Sequence, residues 1–208
     1  GIRATVFLSL LTMAITSALG ACVGLVSGFF RNRIDDVLMR ICDVMMSFPS
    51  EVMILAIVGM TGPGLENVVI ANVVAKWPWY ARMVRSIVRQ YSDKDYIRFA
   101  KVAGGSSIRI MMRHLLPGTA GELFVLTTLD TGSVILMISA LSFLGLGVQP
   151  PTPEWGMMLN EAKEVMTLYP LQMIPAGMAI LLVVAAFNFL GDSLRDAFDP
   201  KHAGRERS

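Results

Sequence analysis

Three ionisable side chains stand inside otherwise apolar runs: Glu51 within 44–60, Lys76 within 67–81 and Asp130 within 123–148. A charge at membrane depth is costly and tends to face a bundle interior or a wet passage, so this trio is suited to handling a polar cargo. Asp130 is the strongest candidate for such a passage; its alternative is a packing hydrogen bond to Thr127, Thr131 or a neighbouring span. Glu51 and Lys76 are cheaper, because near the outer mouth they can snorkel toward water, and both are candidates for cargo contact.

Bond-making chemistry finds no support. The chain has no HExxH, no GxSxG and no cluster at metal-ligand spacing. It also lacks G-x-x-x-x-G-K-[ST], so nothing in it cradles ATP phosphates and any driving energy must come from another chain. Cys22 and Cys42 show no CxxC or His spacing and read as buried thiols. The methionine pairs at 45–46, 111–112 and 157–158 read as flexible packing, since thioethers favour soft ions such as Cu(I). No metal site is assigned, and no cofactor is expected to be bound by this chain.

The elements that must position the trio follow from composition. Of 208 residues, 54% are apolar and 16% charged, and the mean hydropathy is +0.58, against roughly 45–50% and 25% for an ordinary soluble domain. A helix of about 20 apolar residues crosses a bilayer. Five runs qualify as spans, 4–30, 44–60, 67–81, 123–148 and 171–190, the third being short. The first run is too long for the core of a cleaved signal peptide. The expected fold is therefore an all-α, polytopic membrane protein with five transmembrane helices.

Orientation follows from the basic residues, which are retained on the cytoplasmic side. Every Lys and Arg except Arg3, Lys76 and Lys163 follows the first, third or last run. The loops 61–66 and 149–170 carry Glu66, Glu154, Glu161 and Glu164 and read as outward-facing. The chain is thus expected to begin outside and end in the cytoplasm. His114 and His202 both fall on the cytoplasmic side in this topology. Because the basic residues spread over three loops without an aromatic platform, no nucleic-acid partner is expected.

A polar island, RFAKVAGGSSIRIMMRHLLPG at 98–118, interrupts the apolar chain. The pattern predicts a short helix over 95–103, with Ile97, Phe99, Ala100 and Val102 as its apolar positions. A turn at Gly104 and Gly105 follows, permitted by positive φ, then a second helix over 108–116 capped by Ser106 or Ser107. Pro117 is expected to break that helix before the fourth span. Taken alone, the island also fits a linker facing lipid headgroups. Thr152, Pro153 and Glu154 predict a further helix start in the outward loop, with Pro at the first helical position.

The island's spacing resembles the EAA loop of binding-protein-dependent ABC importer permeases. The match runs through Arg98, Phe99 and Ala100, then Gly104 and Gly105, then Ile108, Leu116 and Pro117. It departs from the family pattern at Arg98, where Glu is usual, and at Phe99, which replaces the first Ala, so the salt bridge that Glu would make is not expected. Four further stretches resemble the peptide and nickel branch, in its order: MRICDVMMSFPS, WPWYARMVRS, LSFLGLGVQPPTPEWGMMLNEA and AFNFLGDSLRDAFDP.

The resemblance implies a type I ABC importer permease fold lacking its first helix, in keeping with a chain that opens on Gly1. It implies a single transmembrane domain over 1–200, with a coupling loop at 91–118, an outward loop at 148–170 and a cytoplasmic tail at 201–208. The expected partners are a second permease subunit, two ABC ATPase subunits holding ATP and magnesium, an extracytoplasmic binding protein and membrane lipid. The expected location is a bacterial inner membrane. Glu154 and Trp155 are candidates for docking the binding protein; the other view of that loop is a structural lip on the pore. Ile138, where dipeptide permeases tend to carry Glu, and the stretch PLQMIPAGMAI favour nickel or a nickel chelate as cargo over a dipeptide or oligopeptide. A secondary transporter is the remaining class, although it would be expected to show internal repeats.

Overall fold

A computed structural model describes residues 1–198, and the tail expected at 201–208 lies outside the described residues. Among the described residues the chain is helical throughout, with no strand. Helix α1 spans Ile2–Phe30 and α4 spans Leu65–Ser92; together they make the most extensive helix pair in the molecule. Between them lie α2 (Arg33–Met46) and α3 (Ser50–Thr61). The island follows as α5 (Asp95–Val102) and α6 (Ser107–Ile110). Then come α7 (Leu116–Phe143), the short α8 (Trp155–Glu164) and α9 (Met173–Phe198).

The apolar runs map onto this architecture unevenly. Among the described residues three helices are long and apolar enough to cross a membrane: Ile2–Phe30, Ser107–Phe143 and Pro170–Phe198. The second run falls on α2 and α3, which meet at an 80° bend and make a fourth span if counted as one. Pro49 supplies the bend, since the residue before a proline is pushed out of helical geometry and Pro49 itself can only start a new helix. The short third run opens a 28-residue helix, about 42 Å long at 1.5 Å per residue.

The expected break at Pro117 does not occur. Helix α6, the wide turn Met111–Leu115 and α7 form one continuous 37-residue run. The wide turn shifts the hydrogen-bond pattern by one residue, so that Leu116 N–H reaches Met111 O. Pro117 therefore enters α7 at its first positions, where its fixed φ is compatible with the helix.

The close fit of α1 to α4 rests on Gly20, Gly24 and Gly28, spaced by four on one face of α1. A Cβ at Gly24 would lie 2.6 Å from Ala81 O, and one at Gly20 would lie 2.3 Å from Tyr80 Cβ. In lipid, where apolar side chains gain little by leaving the solvent, such backbone approach is a main source of helix affinity. Gly24→Leu is expected to destabilise the solubilised protein by about 1–3 kcal/mol through overpacking. A thermal unfolding midpoint equal to wild type would show that α1 and α4 separate freely.

Candidate functional site

Helix α4 carries Lys76 and Tyr80 at i and i+4, so both project from one face toward α7. On α7, Asp130 and Ser133 share the facing side. Lys76 Nζ donates to Asp130 Oδ1 at 2.9 Å, to Asp130 Oδ2 at 3.1 Å and to Ser133 Oγ at 2.8 Å. The Tyr80 hydroxyl donates to Asp130 Oδ2 at 3.1 Å, and Ser133 Oγ donates to Asp130 Oδ1. The Lys76 and Asp130 side chains retain only 16% and 24% exposure, which places the pair between a buried and a surface ion pair.

Of the alternative partners expected for Asp130, the neighbouring helix supplies two, Lys76 and Tyr80 of α4, while the two threonines are engaged elsewhere. Thr127 and Thr131 both donate to carbonyls of their own helix, Leu123 O and Thr127 O. Lys76 reaches from α4 to pair directly with Asp130 on α7.

This cluster forms part of the wall of a cavity of about 710 Å³. Its third side is the α2–α3 elbow, where Met46, Phe48, Pro49, Ser50 and Glu51 reach the lining. All three ionisable residues that stand in apolar runs thus border one space. Apolar walls with a few convergent polar groups are the usual make-up of a small-molecule site. Pro78, inside α4 between Lys76 and Trp79, removes one helical hydrogen bond beside this space. Among the described residues no group of three or more His, Cys, Asp or Glu side chains gathers to hold a metal.

At the end of the bundle that carries the arginines, the island forms the expected helix, turn, helix. Gly104 has φ of +78°, the left-handed geometry glycine tolerates, and Gly105 N–H donates to Ala100 O at 3.0 Å. A Cβ on Gly105 would lie 2.8 Å from that same oxygen. Ser106 occupies the cap position of α6 without a side-chain cap hydrogen bond.

The apolar residues of the island divide into two sets. Ile97, Ile110 and Leu115 are buried against α1 and α4, and Ala100 and Leu116 are partly buried beside them. Phe99, Val102 and Ile108 point outward at 72%, 88% and 71% exposure, with Arg98 and Pro117 also exposed. The periodicity of α5 shows one apolar set; only the fold shows that half of it faces away from the core.

Glu154 and Trp155, expected on a docking surface, are placed elsewhere. Glu154 has 0% exposure and Trp155 has 5%. Glu154 accepts hydrogen bonds from Thr5 Oγ1 at 3.1 Å, Ser139 Oγ at 3.0 Å and Met157 N at 3.0 Å. It is thus the cap of α8 and ties that helix to α1 and α7. The helix starts at Trp155, so Pro153 lies outside it; the carboxylate satisfies the free N–H of Met157, and Thr5 Oγ1 accepts from that of Trp155. Trp155 packs with Ile135, Ala176 and Ile180. Neither side chain offers a surface to a partner.

Sequence reasoning missed two parts of this arrangement. Tyr80 had a visible signal, one helical turn beyond Lys76. The Gly20, Gly24 and Gly28 repeat was equally legible as small residues spaced by four.

A polytopic all-α bundle with membrane-spanning helices, built around a cavity between α4, α7 and the α2–α3 elbow, is the class these observations define. The inward-facing MetNI methionine ABC transporter has the same fold: one of its chains superposes with a TM-score of 0.76 over 96% of this chain and 95% of its own, at 16% identity. Residues 20–203 match the family described as binding-protein-dependent transport system inner membrane component, and the chain belongs to that family.

Curated relatives agree. The metal-staphylopine import system permease protein CntC of Staphylococcus aureus strain Mu50 is 44% identical over 84% of this chain and 60% of its own length. The nickel transport system permease protein NikC of Escherichia coli strain K12 is 41% identical over 88% of this chain and 66% of its own. The glutathione transport system permease protein GsiD of Pectobacterium atrosepticum is 40% identical over 97% and 67%. The chain thus spans about 60 to 67% of the length of these relatives.

Proposed function

We propose that this chain forms half of the translocation pore of an ATP-driven importer and moves nickel or a nickel chelate across a bacterial inner membrane. The observation that carries the reading is the exposed apolar knob of Phe99, Val102 and Ile108, held around the Gly104 turn. A knob of that kind suits a groove in an ATPase subunit, and an apolar patch left facing water needs a partner. Of the rest of the island, Ala100, Gly105 and Leu116 are partly buried behind the knob, and Arg98 and Pro117 are exposed with it.

In this reading residues 1–200 are one transmembrane domain, with the loop 91–118 and the C-terminus in the cytoplasm and the loop 148–170 outside. A second permease completes the pore, two ATPases bind ATP and magnesium below it, and a binding protein delivers cargo above. This chain performs no bond-making step. Glu51, Lys76 and Asp130 contact the passing cargo, and closure of the ATPases moves the island so that the cavity alternates between the two sides.

The names of CntC and NikC favour a metal or its chelate. The similar identity to GsiD, named for glutathione, keeps a peptide as the second reading. The test is to purify the full-length protein from membranes and identify its companions by mass spectrometry, then measure ATP-driven uptake of labelled nickel, a nickel chelate and a tripeptide in proteoliposomes. Recovery of a second permease and ATPases with metal-dependent uptake is the expected result. Recovery of the chain alone, with uptake independent of ATP, would overturn the importer reading, and uptake of the tripeptide alone would transfer the cargo to the second reading.

A further inference from the structure

Helix α2 packs Met39 and Cys42 against Ala81 of α4, and on either side of that apolar contact a charged pair fastens it to α4. Near its start, the buried Asp35 accepts from Arg85 Nε at 2.5 Å, Arg85 Nη2 at 2.7 Å and Arg89 Nη2 at 2.5 Å, and also from Ser27 of α1. Near its end, Asp43 pairs with Arg82. The three arginines recur at three- and four-residue spacing, so they line one face of α4 and hold α2 along it. A bidentate arginine on a carboxylate fixes orientation as well as distance.

Both ends of this fastened pair lead somewhere. Three residues beyond Asp43, Met46 opens the stretch of elbow that borders the cavity, which ends at Glu51. Three residues beyond Arg89, α4 ends at Ser92 and gives way to the island. There Arg31 donates to Arg89 O at 2.7 Å and pairs with Asp93 at 3.0 Å, and this guanidinium holds the Asp93 carboxyl below its ordinary value.

We infer that Asp35 and Asp43 are positioning residues for transport: they lock α2 to α4 so that a displacement of the island moves the α2–α3 elbow and α4 together as one wall of the cavity. This inference rests on the importer reading. Ile54 and Val58 pack α3 on α4 beyond the elbow, so the locks act on the α2 side of it: without them the Met46 end of the elbow would follow α4 less closely than Lys76 and Tyr80 do, and the cavity would deform instead of opening. Asp43 is the member to test, because its pair with Arg82 is half exposed and contributes little to stability.

In the assembled importer, with its ATPases and binding protein in proteoliposomes, Asp43→Arg is expected to lower cargo moved per ATP hydrolysed about tenfold, while ATP hydrolysis changes less than twofold. Asp43→Asn should give a smaller loss in the same ratio. The exchange Asp43→Arg with Arg82→Asp should restore the ratio to within about twofold of wild type. An unchanged ratio in Asp43→Arg would overturn the inference, as would failure of the exchange to rescue it. Loss of assembly in both single variants would also overturn it, by making the pair structural. Absence of ATP-driven uptake by the wild-type assembly is a separate result that counts against the importer reading itself.

Discussion

Asp130→Ala is expected to be the most damaging truncation in the cavity, and more damaging than removing Lys76 and Asp130 together. With Asp130 gone, the Lys76 ammonium keeps only Ser133 as a partner at 16% exposure. Leaving one member of a largely buried pair uncompensated costs on the order of 3 kcal/mol, whereas an apolar pair of similar volume is often neutral. The double variant Lys76→Met with Asp130→Leu should therefore unfold within about 1 kcal/mol of wild type, by thermal unfolding in detergent.

Uptake should follow a different order. A charge-assisted contact to a passing ligand is worth about 1.5–3 kcal/mol, so both variants are expected to lose about ten- to a hundredfold in uptake efficiency. The recovery of stability without recovery of uptake is the diagnostic pattern. If the double variant transports like wild type, the ion pair is a packing device and Asp130 leaves the pathway.

The second large effect is expected at the knob. Phe99→Asp places a carboxylate where an apolar side chain would enter a partner's groove, and it should abolish stable association with the ATPases. Central aromatic anchors commonly contribute at least about 2 kcal/mol to an interface, a loss of roughly thirtyfold in affinity. Because Phe99 is 72% exposed, the substitution should change the fold's stability by no more than about 0.5 kcal/mol. Co-purification and ATP-driven uptake should fall together while the melting curve stays in place. Retention of the ATPases by Phe99→Asp would move the coupling contact away from the knob.

The contrast between what the chain spells out and what only the fold supplies has physical causes. The all-helical membrane architecture was legible because lipid forces long apolar runs with satisfied backbones, and such runs are visible residue by residue. The Gly104 turn was legible because few residues tolerate its φ. The meeting of Glu51, Lys76 and Asp130 around one cavity was not, since it depends on the 80° elbow after α2, which brings distant parts of the sequence together. Glu154 looked like a surface acid because acids commonly favour helix starts. Its burial depends on Thr5, 149 positions away, and on Ser139, neither of which a local pattern can supply. Pro117 misled for a related reason: a proline breaks a regular helix, but the wide turn just before it had already shifted the bonding.

That wide turn at Met111–Leu115 has a consequence for how this chain tolerates changes in length. Each residue added to a regular helix rotates everything beyond it by about 100°. A one-residue insertion or deletion between Leu116 and Asp130 would therefore swing the carboxylate off the cavity wall toward lipid or a neighbouring helix. A wide turn already houses one residue more than a regular turn. Removal of one residue at that turn is therefore expected to close it to a regular one and leave Asp130 on its bearing.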